Sequence, residues 1–98
     1  PKNNPIQLLL GALNSYFTKV LKYHYAVDKS PQGLASALGI APFFVREYEQ
    51  AARNYSKEKV FRVISYLREC DLKTKGVDAI GNTEQGDLMK ELMFKIIH

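Results

Sequence analysis

Apolar residues recur along this chain every three or four positions, the spacing of one face of an α-helix. Residues 44–55, 60–70 and 88–97 show this spacing. The first long segment shows it most clearly, at Ile6, Leu9, Leu10, Leu13, Phe17, Val20 and Leu21. No window alternates apolar and polar residues with a period of two, as a half-buried strand would. The pattern predicts an all-α fold.

Proline, glycine and serine mark where the predicted helices begin and end. Asn4-Pro5 and Ser30-Pro31 each place a capping side chain before a proline whose φ angle already suits a first helical turn. Gly39 is expected to end the short second helix in a left-handed conformation. Pro42 is expected to begin the next helix, and Ser56 to cap the one after it.

Chain length and composition fit one folded domain. The 98 residues are 46% hydrophobic and 24% charged, which is the composition of an ordinary globular domain and excludes a disordered chain. A chain of this size buries about two-thirds of its surface on folding. We therefore predict a compact bundle of about five helices spanning residues 1–98, with residues 1–4 as a linker remnant. No apolar run is long enough to cross a membrane, and a lone cysteine fits a cytoplasmic location.

The charge is mildly basic and unevenly distributed. The formal net charge is +4. Residues 31–56 balance two cations against two anions, whereas residues 57–76 carry six cations against three anions. A balance of this kind permits nucleic-acid contact without requiring it, and a solvated surface is the simpler interpretation.

The residues needed for catalysis or metal binding are sparse. His24 and His98 are far apart in the sequence, and Cys70 lies on an apolar helix face with no histidine near it. We interpret His24 as structural and Cys70 as a buried, unreactive thiol. No cluster has the spacing of metal ligands, and no glycine-rich loop carries the lysine of a phosphate site. The sequence thus predicts no catalytic residue, no cofactor, no metal and no small-molecule ligand.

Residues 34–45 form the clearest local motif, a possible helix-turn-helix. Ala35, Gly39 and Val45 have the spacing of two helices packed across a tight turn. In a nucleic-acid-binding domain the second of these helices would enter the major groove. Arg46 and Gln50 are the residues on it suited to reading bases. This reading stays open as an alternative, beside a packing motif that contacts no DNA.

The other residues of that second helix argue against DNA recognition. Phe43 and Phe44 carry no hydrogen-bond donors for base edges, and Glu47 and Glu49 would face phosphates. The aromatic residues elsewhere suit stacking on bases, packing in a core, or a protein interface, where tyrosine is enriched.

A series of motifs in order gives the chain a family resemblance. Asn-Pro-Ile at 4–6 leads into Leu-Leu-Leu-Gly-Ala-Leu-Asn-Ser-Tyr-Phe, and residues 34–45 end in Pro-Phe-Phe-Val. Gln-Ala-Ala-Arg-Asn-Tyr-Ser follows at 50–56, and Leu-Arg-Glu-Cys-Asp-Leu-Lys-Thr-Lys-Gly at 67–76. This order resembles the C-terminal collar domain of the delta subunits of bacterial DNA polymerase III, the clamp loader. Ala41 departs from the family, in which a histidine before Pro-Phe is common.

The resemblance implies a non-catalytic oligomerisation domain in DNA replication. Collar domains of five subunits form the ring that holds a clamp loader together while it loads the sliding clamp. The implied partners are the collar domains of the ATPase subunit and of the delta-prime type subunit, with DNA met only in the assembled complex and no membrane. The candidate interface or structural residues are those on the matching motifs: Pro42, Phe43, Arg53, Asp71 and Lys75. Asp71 and Lys75, four positions apart, are expected to pair along their helix.

Overall fold

The computed structural model describes residues 5–76 and 82–98. Within those ranges it contains five α-helices, one 3₁₀ turn and no strand, which confirms the predicted all-α bundle. The helices are α1 (Pro5–Tyr25), α2 (Pro31–Leu38), α3 (Val45–Asn54), α4 (Lys57–Gly76) and α5 (Asn82–Ile97), and the 3₁₀ turn (Pro42–Phe44) leads directly into α3. No helix of the described ranges has both the length and the apolar character needed to cross a membrane.

Helices α1 and α4 form the central antiparallel pair. Near one end of the pair, Gln7 Nε2 donates a hydrogen bond to Thr74 Oγ1, and near the other end Tyr25 packs against Phe61. Residues of α1, α3, α4 and α5 share one core: Ile6, Leu10, Phe17, Val20, Ala51, Val60, Val63, Leu67, Cys70, Leu92 and Ile96. Full burial of each large aliphatic side chain in it contributes about 1.5–3 kcal/mol.

Aromatic contacts hold α3 and the start of α4 against α1. The rings of Phe17 and Tyr55 meet edge to face with centroids 5.1 Å apart, and Tyr16 lies 5.4 Å from Tyr48. His24 Nε2 lies 2.8 Å from the carbonyl oxygen of Tyr55. Since a carbonyl only accepts, this nitrogen carries the hydrogen. His24 therefore ties the end of α1 to the turn before α4, the structural role expected from the sequence.

Helix α5 packs along α4. Lys59 Nζ donates to the carbonyl oxygen of Lys95 at 3.1 Å, and Lys95 Nζ lies 5.1 Å from the centre of the Tyr66 ring. Cys70 is buried beneath this contact, with 5% of its surface exposed. Burial raises the pKa of its thiol, because the thiolate would lose its hydration. The predicted buried thiol is confirmed.

The helix ends follow the sequence signals closely. The Ser30 hydroxyl accepts from the Gly33 N–H at 3.1 Å, and the Ser56 hydroxyl accepts from the Lys59 N–H at 3.2 Å. Gly39 has φ +70°, and its N–H donates to the Ala35 carbonyl at 2.9 Å. The α-helix expected to begin at Pro42 begins instead at Val45, because the first turn is the tighter 3₁₀ form that often opens a helix. Asn4 and the predicted linker remnant 1–4 lie outside the described residues.

Candidate interaction surfaces

Helices α2 and α3 pack together as the predicted helix-turn-helix motif. Leu34, Ala35 and Val45 are buried together in a second, smaller cluster, with Tyr23, Ala26 and Ile40 against it. The left-handed Gly39 reverses the chain between the two helices. The spacing of Ala35, Gly39 and Val45 thus predicted the packing of this unit correctly.

The loop between α1 and α2 is fixed by local hydrogen bonds. Lys29 Nζ donates to the carbonyl oxygens of Tyr23 at 2.7 Å and Ala26 at 2.6 Å. Asp28 Oδ1 accepts from the Ser30 N–H at 2.9 Å. The hydrogen bonds from Ser30 lower the pKa of the Asp28 carboxyl, because they favour its charged form. The start of α2 is therefore held in place largely by polar contacts.

The turn between α2 and α3 presents an aromatic tip, which we define as Pro42–Phe44. Phe43 is 84% exposed and Phe44 is 44% exposed, and their rings meet edge to face with centroids 5.2 Å apart. Pro42 beside them is also exposed. Two of the candidate residues, Pro42 and Phe43, thus lie together at an accessible corner of the molecule.

The outer face of α3 carries two arginines and one glutamate around a shallow depression. Arg46, Glu49, Gln50 and Arg53 line one shallow depression on this face. Arg53 Nη2 lies 3.3 Å from Glu49 Oε2, so the candidate residue Arg53 is engaged in an ion pair within its own helix. An exposed pair of this kind contributes only about 0–1 kcal/mol. Because Arg53 is paired with Glu49, Arg46 is the remaining cation among the residues that line this depression.

An open groove runs between α1 and α4. It has a volume of about 350 Å³, and Leu10 and Leu67 form its floor. Its polar lining consists of Gln7, Asn14, Arg68 and Asp71, and Gly11 leaves a gap in its wall. We call this feature the α1–α4 groove. The candidate residue Asp71 is half-buried within it. The side chain of Lys75, expected to pair with Asp71, lies outside the described residues.

The candidate residues lie on three separate surfaces and do not converge. Pro42 and Phe43 belong to the aromatic tip, Arg53 to the outer face of α3, and Asp71 to the α1–α4 groove. Sequence reasoning missed the other lining residues of the groove. The spacing of Gln7, Gly11 and Asn14 places them on one face of α1. The sequence alone does not show that this face lies beside α4.

Few groups in the described ranges are placed for metal or ligand chemistry. Residues 5–76 and 82–98 contain no group of three or more histidine, cysteine, aspartate or glutamate side chains close enough to hold a metal ion. Between α4 and α5, beside Cys70, the free space is about 20 Å³, roughly enough for one water molecule. In the described part of the chain, we therefore expect contacts with other molecules at the surface.

Comparison of the chain with protein-family models, with curated proteins and with solved structures finds no match.

Proposed function

We propose that this chain is a non-catalytic oligomerisation domain, the collar domain of a delta-type subunit of the DNA polymerase III clamp loader. In this role it helps to hold the clamp-loader ring together while the sliding clamp is loaded in DNA replication. The observation that supports the proposal best is the aromatic tip, where Phe43 is 84% exposed on a well-anchored turn.

An exposed aromatic ring on a rigid support is suited to protein binding. Burying a phenylalanine side chain contributes about 1.5–3 kcal/mol. The tip is held by the left-handed Gly39 on one side and by the buried Val45 on the other. Because the backbone is already ordered, little conformational entropy is lost when a partner covers the rings. Aromatic anchors of this kind often dominate the binding energy of an interface.

The motif resemblance supplies the identity of the partners. Pro42 and Phe43 belong to the motif that resembles the delta-subunit family. The proposed partners are the collar domains of the ATPase subunit and of the delta-prime type subunit. DNA would be met only in the assembled complex.

Sedimentation velocity tests this proposal directly. The chain is mixed with the C-terminal domain of the ATPase clamp-loader subunit at moderate salt and without DNA. We expect a heavier co-sedimenting species that Phe43→Ser weakens. Phe94→Ser is the matched control, because Phe94 is also an exposed phenylalanine, 63% accessible, but lies on α5. Independent boundaries in this mixture, and in the same experiment with the collar domain of the delta-prime type subunit, would refute the proposal, and so would equal effects of the two substitutions.

A second function, helix-turn-helix nucleic-acid binding, is favoured by one observation. Arg46 and Gln50 lie on the solvent-facing side of α3, the second helix of the motif. Titration of a short duplex DNA at increasing salt tests it. A nucleic-acid-binding domain would show affinity that falls steeply with salt and is reduced by Arg46→Ala. Binding that is weak and insensitive to Arg46→Ala would remove this candidate.

A further inference from the structure

A pair of accessible aromatic rings lies where α1 ends and α4 begins. Tyr25, the last residue of α1, meets Phe61 of α4 edge to face, with ring centroids 6.4 Å apart. Tyr25 is 56% exposed and Phe61 is 48% exposed. Lys57 Nζ lies 5.1 Å from the centre of the Tyr25 ring. An ammonium group and a half-exposed ring pair therefore share one surface.

The two chain segments that meet at this end carry most of the net charge of the protein. We call residues 22–29 and 57–62 together the basic end. They contain five cations against two anions, whereas the rest of α4, residues 63–76, contains three cations against two anions. The cations of the basic end are Lys22, Lys29, Lys57, Lys59 and Arg62. This surface is therefore positive, unlike the balanced charges further along the same helix.

The anions at this end are engaged locally. The carboxylate of Asp28 accepts a hydrogen bond from the Ser30 N–H at 2.9 Å. Glu58 lies in the first turn of α4, where the free N–H groups of a helix favour a negative charge. On neighbouring α5, Glu91 Oε2 lies 3.5 Å from Lys95 Nζ. None of these contacts neutralises the ammonium group of Lys57 beside the ring pair.

The cations of the basic end keep their charge available. Lys22 and Arg62 are exposed and form neither an ion pair nor a side-chain hydrogen bond with another described residue. Lys29 and Lys59 donate hydrogen bonds to carbonyl oxygens, which orient the ammonium groups without neutralising them. Positive charge of this kind attracts phosphate groups.

Accessible rings beside unpaired cations match the chemistry of single-stranded nucleic acid. Proteins that bind single strands combine cations along the phosphate backbone with aromatic side chains on which the bases stack. A duplex hides the faces of its bases inside the stack, so an exposed ring pair suits unpaired bases better. Lys22 lies one helical turn before Tyr25, and Lys57 contacts its ring, so both cations flank the stacking surface.

We propose that the basic end binds single-stranded nucleic acid. An unpaired base stacks on the Tyr25–Phe61 pair, and phosphates beside it contact Lys22 and Lys57. The proposed function has DNA met only in the assembled complex, whereas this inference gives the chain a strand-binding surface of its own. That surface shares no residue with the aromatic tip or with the helix-turn-helix face of α3.

A tryptophan introduced at the ring pair reports stacking directly. The chain contains no tryptophan, so Phe61→Trp supplies a single indole whose fluorescence a stacked base quenches. The ligand is an oligothymidylate of about twelve nucleotides. We expect it to quench the indole of Phe61→Trp. Leu72→Trp is the matched control, because Leu72 is 65% exposed on the same helix but lies about 16 Å further along it. Its fluorescence should not change.

Salt dependence and a second pair of variants test the phosphate contacts. For single strands, the slope of log affinity against log salt is about −0.7 for each phosphate contact. Fluorescence anisotropy of the labelled strand should show that Lys57→Gln makes this slope less steep by about 0.7. Lys73→Gln should leave it unchanged, because Lys73 lies outside the basic end, 4.0 Å from Glu69.

A third pair of variants removes the stacking surface without changing the charge. Phe61→Ser should weaken binding of the strand about fivefold or more, because each stacked base contributes that much. Leu72→Ser removes a side chain that is exposed elsewhere on α4, and should change affinity less than about twofold. Circular dichroism establishes that each variant is folded.

Several outcomes overturn the proposal. They are equal quenching of the two tryptophan variants, equal effects of a variant and its control, and inorganic polyphosphate binding as tightly as the oligothymidylate. Preference for duplex DNA, lost in Arg46→Ala, would assign binding to α3 instead. Quenching by anionic lipid vesicles but not by the strand would assign the basic end to a membrane surface. The sedimentation experiment contains no DNA, so its failure leaves these readouts unaffected and the two proposals fail separately.

Discussion

The two apolar clusters of this protein are stabilised in different ways. The main core takes buried residues from α1, α3, α4 and α5, and Val20, Val60 and Val63 within it have no measurable exposure. The small cluster consists of three buried residues, Leu34, Ala35 and Val45, and depends on backbone geometry and caps around α2. Burial thus dominates the first region, whereas local hydrogen bonds support the second.

This difference matters because each region carries one of the surface features described above. The α1–α4 groove lies on the main core, so its walls are two long helices with extensive packing. The aromatic tip is attached to the small cluster, whose stability rests on a few residues such as Gly39 and Ser30. Regions with few buried contacts open locally at lower free energy than a central core. We therefore expect the tip to be the more easily perturbed surface.

The largest predicted effect compares one truncation in each cluster. Phe17→Ala should lower the free energy of unfolding by about 3–5 kcal/mol, because Phe17 is buried to 3% exposure and packs edge to face on Tyr55. Leu34→Ala should cost about 2–3 kcal/mol, at the lower end for such changes. Urea denaturation followed by circular dichroism measures both. Equal losses would contradict the division into a dominant core and a minor cluster.

Gly39→Ala is the next test, since it changes the backbone of the small region alone. Gly39 has φ +70°, a conformation that costs a residue with a Cβ about 1–2 kcal/mol. The free energy of unfolding should fall by that amount, and hydrogen exchange should speed up in α2 before it does in α4. Unchanged exchange in α2 would show that the turn does not limit the stability of this region.

The same glycine-to-alanine substitution, made once in α1 and once in α2, compares the two regions directly. Gly11→Ala should raise the free energy of unfolding by about 1 kcal/mol, because alanine favours the helix and its Cβ meets nothing. At Gly33 the added Cβ would contact the side chain of Asp28 and displace it from Ser30. We expect Gly33→Ala to be less stable than Gly11→Ala by at least about 1 kcal/mol. Thermal denaturation of both variants is the measurement, and equal gains would be inconsistent with the crowding at Gly33.

The smallest effect concerns acid pH and the start of α2. The pKa of Asp28 is lowered in the folded chain, so its contribution to stability is present above the pKa of the unfolded chain. That contribution is lost as the pH falls through the folded pKa, below about pH 4. Asp28→Asn should remove this part of the pH dependence. A carboxyl titration of Asp28 by NMR with an ordinary or raised pKa would contradict the prediction.

Local sequence signals predicted much of the helical framework. Proline, serine and glycine at the ends of α2 act on backbone groups within a few residues, so Ser30 and Gly39 could be placed without knowledge of the rest of the chain. Helical spacing likewise separated buried Phe17 and Val20 from their exposed neighbours. The Ala35, Gly39 and Val45 pattern succeeded for the same reason, since its contacts span only one turn.

The candidate surfaces were only partly accessible to sequence reasoning. Phe43 was identified as a candidate, but its spacing alone fits a core residue as well as an exposed one. Leu9 shares the apolar spacing of α1 and is nevertheless 41% exposed. Arg53 was identified through its motif, and the structure pairs it with Glu49 in its own helix. Exposure depends on which faces of neighbouring helices meet, and spacing within one helix does not specify that.

The sequence by itself determined the all-α class, the helix caps and the packing of the α2–α3 turn, because these follow from interactions between residues close along the chain. Only the tertiary structure decided the α1–α4 groove. Gln7 and Asn14 are more than fifty positions from Arg68, and the antiparallel pairing of two distant helices brings them to one surface. The groove arises from long-range burial of Leu10 and Leu67, which no local pattern specifies.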